Sequence, residues 1–253
     1  MGLNRDIPVF RRARDYHLYD DRGNRYLDLY QNDGRALMGH RPGHFSQYMK
    51  NSISRGLWAD YPPQHQRRLF TLIKKLFPPY AEAVLFRNRE RALAALDIKE
   101  LSDPLKERGS SYLWRPELPD HPEGDHLFLR LPVAGLVETQ IVLSRLPLPE
   151  GDEVSPILVD ALVRLFHDYR IWRTETLPPK DFSAYPSFSQ RGPYLAWNRE
   201  PENYQKIFRE ALEKGLLIPP QEKYPLVIPR ELSDYEERTL RDFLEDLTST
   251  HRR

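Results

Sequence analysis

A chain of 253 residues with 40% hydrophobic and 30% charged side chains is long enough to bury a sizeable core, and its balance is globular rather than disordered. Lys+Arg (38) and Asp+Glu (37) nearly cancel to a net charge of +1, which excludes the global positive field that gathers nucleic acid or anionic membrane. The absence of cysteine excludes disulfides, zinc-thiolate sites and thiol nucleophiles, and points to a reducing cytoplasm.

The 23 prolines against 12 glycines predict many short elements joined by stiff connections, because proline fixes φ and removes a backbone donor. The first twenty-odd residues hold no apolar run of the kind a secretory leader needs, and Asp6 stands where a myristoylation signal needs Ser or Thr. No run elsewhere is long enough to span a bilayer. From Tyr16 to Tyr30, two Tyr/Leu-rich runs flank Asp21-Arg22-Gly23-Asn24, which predicts a β-hairpin since Gly and Asn tolerate positive φ.

After Asn32-Asp33-Gly34, a helix is predicted from about Gly43, with Phe45, Tyr48, Met49, Ser52 and Ile53 on one face and Gly56 as its left-handed stop. Pro62-Pro63 break the chain. A second helix follows with Leu69, Leu72, Ile73 and Leu76 as its buried stripe, ending at Pro78-Pro79. Ala83 to Phe86 is a short apolar run, succeeded by an Ala-rich turn of helix and a Pro- and Trp-containing connector. Leu127, Leu129 and Leu131 alternate as in a strand, and Leu136 to Leu143 reads as another. Ser155 is a candidate N-cap with Pro156 at the first helical position, and Leu158, Leu162, Leu165, Phe166 and Tyr169 form one stripe.

Residues 177–193 carry four prolines and are expected to be a connection between lobes. Pro201 is expected to open a helix with Tyr204, Ile207, Phe208, Ala211 and Leu212 on its apolar face and Gly215 at its stop. Leu216 to Ile218 and Leu226 to Ile228 read as short strands. Ser233 to Glu236 is a capping box in front of a helix that buries Leu240, Phe243, Leu244 and Leu247. There is no internal repeat and no low-complexity segment.

Chemistry-bearing residues are sparse. Asp120, His121, Glu123, Asp125 and His126 are dense in potential ligands, but they sit in a Pro/Gly loop that suits solvation better than a metal. Pro42 and Gly43 stand between His40 and His44 and argue against a helical two-His site, so His40 is expected to hydrogen-bond locally. Arg87, Arg89 and Arg91 alternate, which suits either a solvated face or the lining of an anion pocket. Ser110 and Ser111 lack a Gly-x-Ser-x-Gly elbow, and Trp58, Trp114, Trp172 and Trp197 are expected as core or interface anchors.

The order of these elements resembles the class III pyridoxal-phosphate aminotransferases, above all the glutamate-1-semialdehyde aminomutase branch. LYDDRGNRYLDLY followed by Gly39-His40 resembles that family's amino-terminal segment, and EALEKGLLIPPQEKYPLVIPRELSDYEERTLRDFLEDL resembles its carboxy-terminal lobe. LPVAGLV and DEVSPILVDALVRLF are similar to the stretch after the cofactor lysine, with Ser155 standing for an Asn. The resemblance implies an α/β fold of aminotransferase type I: a small α+β lobe from residues 1–80 and 194–253, and a truncated large lobe from residues 81–193.

The departures lie where the family holds its cofactor. Members are substantially longer, and the missing length maps between Phe86 and Leu131. Asn88-Arg89-Glu90-Arg91 replaces the small Ser-Gly-Thr phosphate cup, leaving Asn88, Arg89 and Arg91 as a candidate pocket for some other anion. No aromatic-His-Gly stretch and no clear partner for a pyridine nitrogen is found, and the run HLFLR before Leu131 holds no lysine. The expectation is a pseudoenzyme without cofactor or catalytic residues, which binds itself or a full-length aminotransferase relative and neither nucleic acid nor membrane. The alternative is a minimal pyridoxal-phosphate enzyme, or one completing a partner's site, with Lys99, Lys106 or Lys180 as the amine.

Overall fold

The computed structural model describes residues 7–40, 44–56, 64–130, 139–175 and 178–250. Contacts gather the chain into two compact units, one of residues 1–40, 117–119 and 176–253, the other of residues 41–116 and 120–175. Residue 80 falls within the second unit, and residue 193 falls in a turn of the first.

In the first unit, β1 (Phe10–Arg14), β2 (His17–Asp20) and β3 (Arg25–Asp28) form an antiparallel meander. The predicted hairpin is its β2–β3 half. The turn holds because the Asp20 carboxylate accepts the backbone N–H groups of Arg22 (3.0 Å) and Asn24 (2.8 Å), while Gly23 takes φ 91°. β10 (Leu216–Leu217) then adds to β3 in parallel, with Leu216 opposite Leu27, and so ties the two chain ends into one sheet. After β3 comes the single turn α1 (Gln31–Gly34).

A second sheet, ordered β11-β9-β8, is made by β8 (Phe188–Arg191), β9 (Tyr194–Trp197) and β11 (Leu226–Val227). Here the expected lobe connection is corrected. Phe182, Tyr185 and Phe188 are buried in the core, and Gly192 (φ 59°) turns a hairpin. The prolines misled because Pro186 precedes the strand and Pro193 sits in the turn, where no ladder hydrogen bond is lost.

Two helices complete this unit. α6 (Tyr204–Glu213) starts at Asn203, whose side chain accepts the Lys206 N–H at 3.2 Å, so the asparagine cap and not Pro201 sets its origin. α7 (Asp234–Thr250) begins with the predicted box: Ser233 Oγ accepts the Glu236 N–H at 3.3 Å, and the Glu236 carboxylate accepts the Ser233 N–H at 3.0 Å. Both apolar faces close over Leu27, Leu29 and Ile218 through Phe208, Ala211, Leu240, Phe243 and Leu244.

The second unit is a four-stranded sheet in the order β4-β7-β6-β5, from β4 (Glu82–Phe86), β5 (Ser111–Leu113), β6 (His126–Leu129) and β7 (Gln140–Ser144). Only β5–β6 is parallel. β5 lies inside the expected connector. β7 is buried along its whole length, and three of the four residues of β6 are buried, so Leu127 to Leu129 do not alternate between core and solvent. Leu131 and residues 136–138 of the two predicted strands lie outside the described residues.

Among the described residues this unit holds four helices: α2 (Phe45–Ser54), α3 (Gln66–Leu76), α4 (Arg89–Ala95) and α5 (Pro156–Glu175). α2 and α3 both pack on α5. Gly56 does take the left-handed conformation after α2 (φ 75°), yet Tyr48 and Ile53, expected on its buried face, are 39% and 37% exposed. Periodicity marked a broad stripe, and only Phe45 and Ser52 of it are buried. Beside the sheet, the nearly fully buried Arg115 pairs with Asp103, where burial pushes the carboxyl upward but the guanidinium outweighs it and holds the acid below its usual range.

Candidate functional site

The resemblance places a phosphate at the turn from β4 into α4. β4 ends at Phe86, and Asn88 leaves the strand in extended geometry so that its side chain accepts the Arg91 N–H at 2.8 Å. A carboxylate from another part of the chain fills the remaining position. Asp152 accepts the Arg87 backbone N–H at 3.0 Å and faces Arg91 Nε at 3.3 Å, while its own N–H donates to Leu85 O at 2.9 Å. Gly151 allows this approach, since a Cβ there would come within 2.5 Å of Leu85 O. The Arg87 amide first, and then Arg91, hold the Asp152 carboxyl below its usual range.

Of the sequence-predicted trio, Asn88 and Arg91 line one open hollow of 440 Å³ with Arg87, Gly151, Asp152 and Glu153, and Arg89 is not among its lining. Two amides of the turn, those of Arg87 and Arg91, are already bonded within the chain, and Asp152 and Glu153 would face a dianion with like charge. A Schiff-base amine is also missing from this surrounding. None of the chain's lysines is buried and none lies on β4, β5, β6 or β7. Lys99 and Lys106 are exposed, and Lys180 is exposed and ion-paired to Glu237 at 2.8 Å. The residues present therefore do not fit pyridoxal phosphate.

Other residues singled out in the sequence have structural partners. His121 packs edge-on against Tyr112, Glu123 pairs with Arg145, and His126 faces Ser111 at 3.2 Å. Trp114 is buried between Phe77 and Tyr169, Trp172 stacks on Tyr169, and Trp197 packs on Phe188 at 4.2 Å. Trp58 lies outside the described residues.

A site that the sequence did not announce lies in the first unit, at the end of β3. Asp28, 2% exposed, accepts the N–H groups of Tyr30 (2.9 Å) and Gln31 (2.8 Å), and its second oxygen lies 2.8 Å from His40 Nε2. Those caps hold an uncommon backbone: Gln31, Asn32, Asp33 and Gly34 all have positive φ, from 46° to 81°. For the three non-glycine residues this conformation costs roughly 1–2 kcal/mol each. Gln31 Nε2 donates to Val227 O at 3.1 Å and anchors the turn to β11. The Gln31 side-chain oxygen, Oε1, is buried without a hydrogen bond.

Asp28, Tyr30, Asn32 and His40 open onto a hollow of 530 Å³, a volume typical of small-molecule sites. Phe10, Leu18, Leu217, Ile218 and Pro220 give it an apolar wall, and Gln221 and Tyr224 stand at its polar side. Two signals were present in the sequence, the Gly39-His40 pair and Asn32-Asp33-Gly34. Neither stated that Asp28 would bring them together.

This fold is that of the aminotransferases. The ornithine aminotransferase of Toxoplasma gondii superposes with a TM-score of 0.66 at 12% identity, covering 96% of this chain and 89% of that one. The acetylornithine aminotransferase of Elizabethkingia anophelis gives 0.62 at 13% identity, covering 98% and 95%. In sequence, the chain is 27% identical over 247 residues to an uncharacterized protein of Borreliella burgdorferi, covering 90% of this chain and 87% of the relative. It is 28% identical over 276 residues to an uncharacterized protein of Treponema pallidum, covering 87% and 88%. A segment of 72 residues is 38% identical to a glutamate-1-semialdehyde 2,1-aminomutase of Heliobacterium modesticaldum, which is 28% of this chain and 16% of that enzyme. No family model matches the chain.

Proposed function

We propose that this chain is a non-catalytic binding or protein-interaction subunit on an aminotransferase scaffold, which neither retains pyridoxal phosphate nor transaminates. The observation carrying this reading is that no lysine is buried, together with the Asp152 carboxylate seated at the β4–α4 turn. Chemistry on an aldehyde cofactor starts from a positioned, desolvated amine, and a solvated lysine is protonated and weakly nucleophilic at neutral pH. The hollow beside Asp28 and His40 is proposed as the ligand site, with the Asp28 side chain 2.8 Å from His40 Nε2 fixing the histidine ring. The partner is proposed to be a second copy or a full-length aminotransferase relative, in the cytoplasm. Among the described residues no helix is long and apolar enough to cross a membrane.

Titration of the purified protein with pyridoxal phosphate tests the cofactor claim. The expected result is no saturable visible band and no borohydride-trapped pyridoxyl-lysine in peptide maps. A band that saturates at one equivalent and bleaches with an amino donor overturns the reading.

A further inference from the structure

A second concavity lies wholly in the second unit, between α2, α3 and α5, with a volume of 730 Å³. Three helical faces converge there by spacing alone: residues 48, 51, 52 and 55 of α2 and its C-cap, 67, 68, 71, 72 and 75 of α3, and 160, 163, 164, 167 and 170 of α5. Its charge is one-sided. Arg55, Arg67, Arg68, Lys75, Arg164 and Arg170 line it, against one lining carboxylate among the described residues, that of Asp160.

Among the described residues, Asp160 and Asp168 are already engaged. Asp160 is held by Arg55 at 2.9 Å and by His65 Nδ1 at 2.5 Å, and Arg164 pairs with Asp168 at 2.8 Å. Arg67, Arg68, Lys75 and Arg170 have no carboxylate partner among the described residues. In a chain of net charge +1, such a local surplus is not a by-product of general basicity. Mutual repulsion around a concave wall destabilises the fold slightly, and an anion bound there would relieve it.

The hollow is larger than a single phosphate needs and lies within the range of small-ligand sites. Guanidinium forks match the oxygens of phosphates, and Asn51, Gln64 and Thr71 add neutral donors along the same wall. Tyr48, 39% exposed with Arg164 over its ring at 5.1 Å, offers a flat face beside them.

We propose that this groove binds a small molecule bearing a linear polyphosphate chain. The inference is independent of the cofactor question, since its residues are separate from the β4–α4 turn.

Calorimetry on the full chain with inorganic tripolyphosphate tests it, with sulfate and citrate at matched ionic strength as comparison anions. Tripolyphosphate is expected to bind one to one and far more tightly than sulfate or citrate. Arg68→Glu with Lys75→Glu is expected to weaken binding by about 100-fold, as loss of two charge-assisted contacts implies. Arg170→Gln supplies a second, milder variant on a different helix, expected to weaken it by about 10-fold. Arg11→Glu, an exposed charge in the first unit, is expected to leave binding unchanged. No heat with tripolyphosphate, equal binding of citrate, or equal weakening by Arg11→Glu overturns the proposal. So does a single-stranded oligonucleotide that displaces tripolyphosphate and binds more tightly than it.

Discussion

The two units handle charge in opposite ways. In the first, Asp20, Asp28 and Glu236 are each drawn inward and turned onto backbone N–H groups, so their charge fixes turns and helix starts. In the second, one carboxylate closes the β4–α4 turn, while Arg67, Arg68, Lys75 and Arg170 face a groove without a carboxylate partner among the described residues. The contrast separates charge that specifies a fold from charge available to a ligand, because only the former is matched by donors or acceptors of its own chain.

The largest expected effect probes what both units share, an apolar core. Phe208→Ala in the first unit and Phe128→Ala in the second, both 0% exposed, should each cost about 3–5 kcal/mol in urea unfolding. A markedly smaller loss in one of them would mean that its core repacks around the cavity.

Arg115→Met comes next. It leaves the Asp103 carboxylate facing a half-buried pocket without its guanidinium, and an expected loss of about 2–4 kcal/mol should fall when Asp103→Asn is added. If the double variant is no more stable than the single one, the pair is not the source of the loss.

Asp28→Ala should destabilise by about 2–3 kcal/mol, since two backbone N–H groups and His40 lose their acceptor while the left-handed turn must still form. Hydrogen exchange at Tyr30 and Gln31 should rise specifically. Unchanged protection at those amides would show that the turn is held by Gln31 and Val227 instead.

Glu236→Gln is the smallest, about 1 kcal/mol at neutral pH. Burial pushes its carboxyl upward, but hydrogen bonds from the Ser233 amide and His17 outweigh this and hold it below the usual carboxylate range. With the folded pKa lowered, this stabilisation is present above the unfolded carboxylate pKa and is lost as pH falls through the folded value. Acid unfolding curves should therefore converge for wild type and variant below that range, and a constant gap across all pH would contradict the assignment.

The chain-end elements were readable because they are local. The β2–β3 hairpin, the Ser233 capping box and the Gly215 stop each depend on a few adjacent residues, and all appear where their turn and cap chemistry puts them. The middle was harder. β5 has only three residues inside a Pro-rich stretch and is buried throughout, so it lacks the alternation by which a half-exposed strand is recognised, whereas the apolar run to Leu143 did read as a strand and is β7 from Gln140.

By itself the sequence determined residue type in short windows: the run HLFLR holds no lysine, and the bulky Asn88-Arg89-Glu90-Arg91 follows the apolar run ending at Phe86. Only the tertiary structure decided which residues from elsewhere in the chain meet them and what else was assembled. Asp152 reaches Arg87 across 65 residues, Asp28 joins His40 across 12, and three helices bring their basic faces to one groove. These are long-range pairings fixed by the closure of sheets and the packing of helices, and no local pattern of residues encodes a contact whose partner lies elsewhere along the chain.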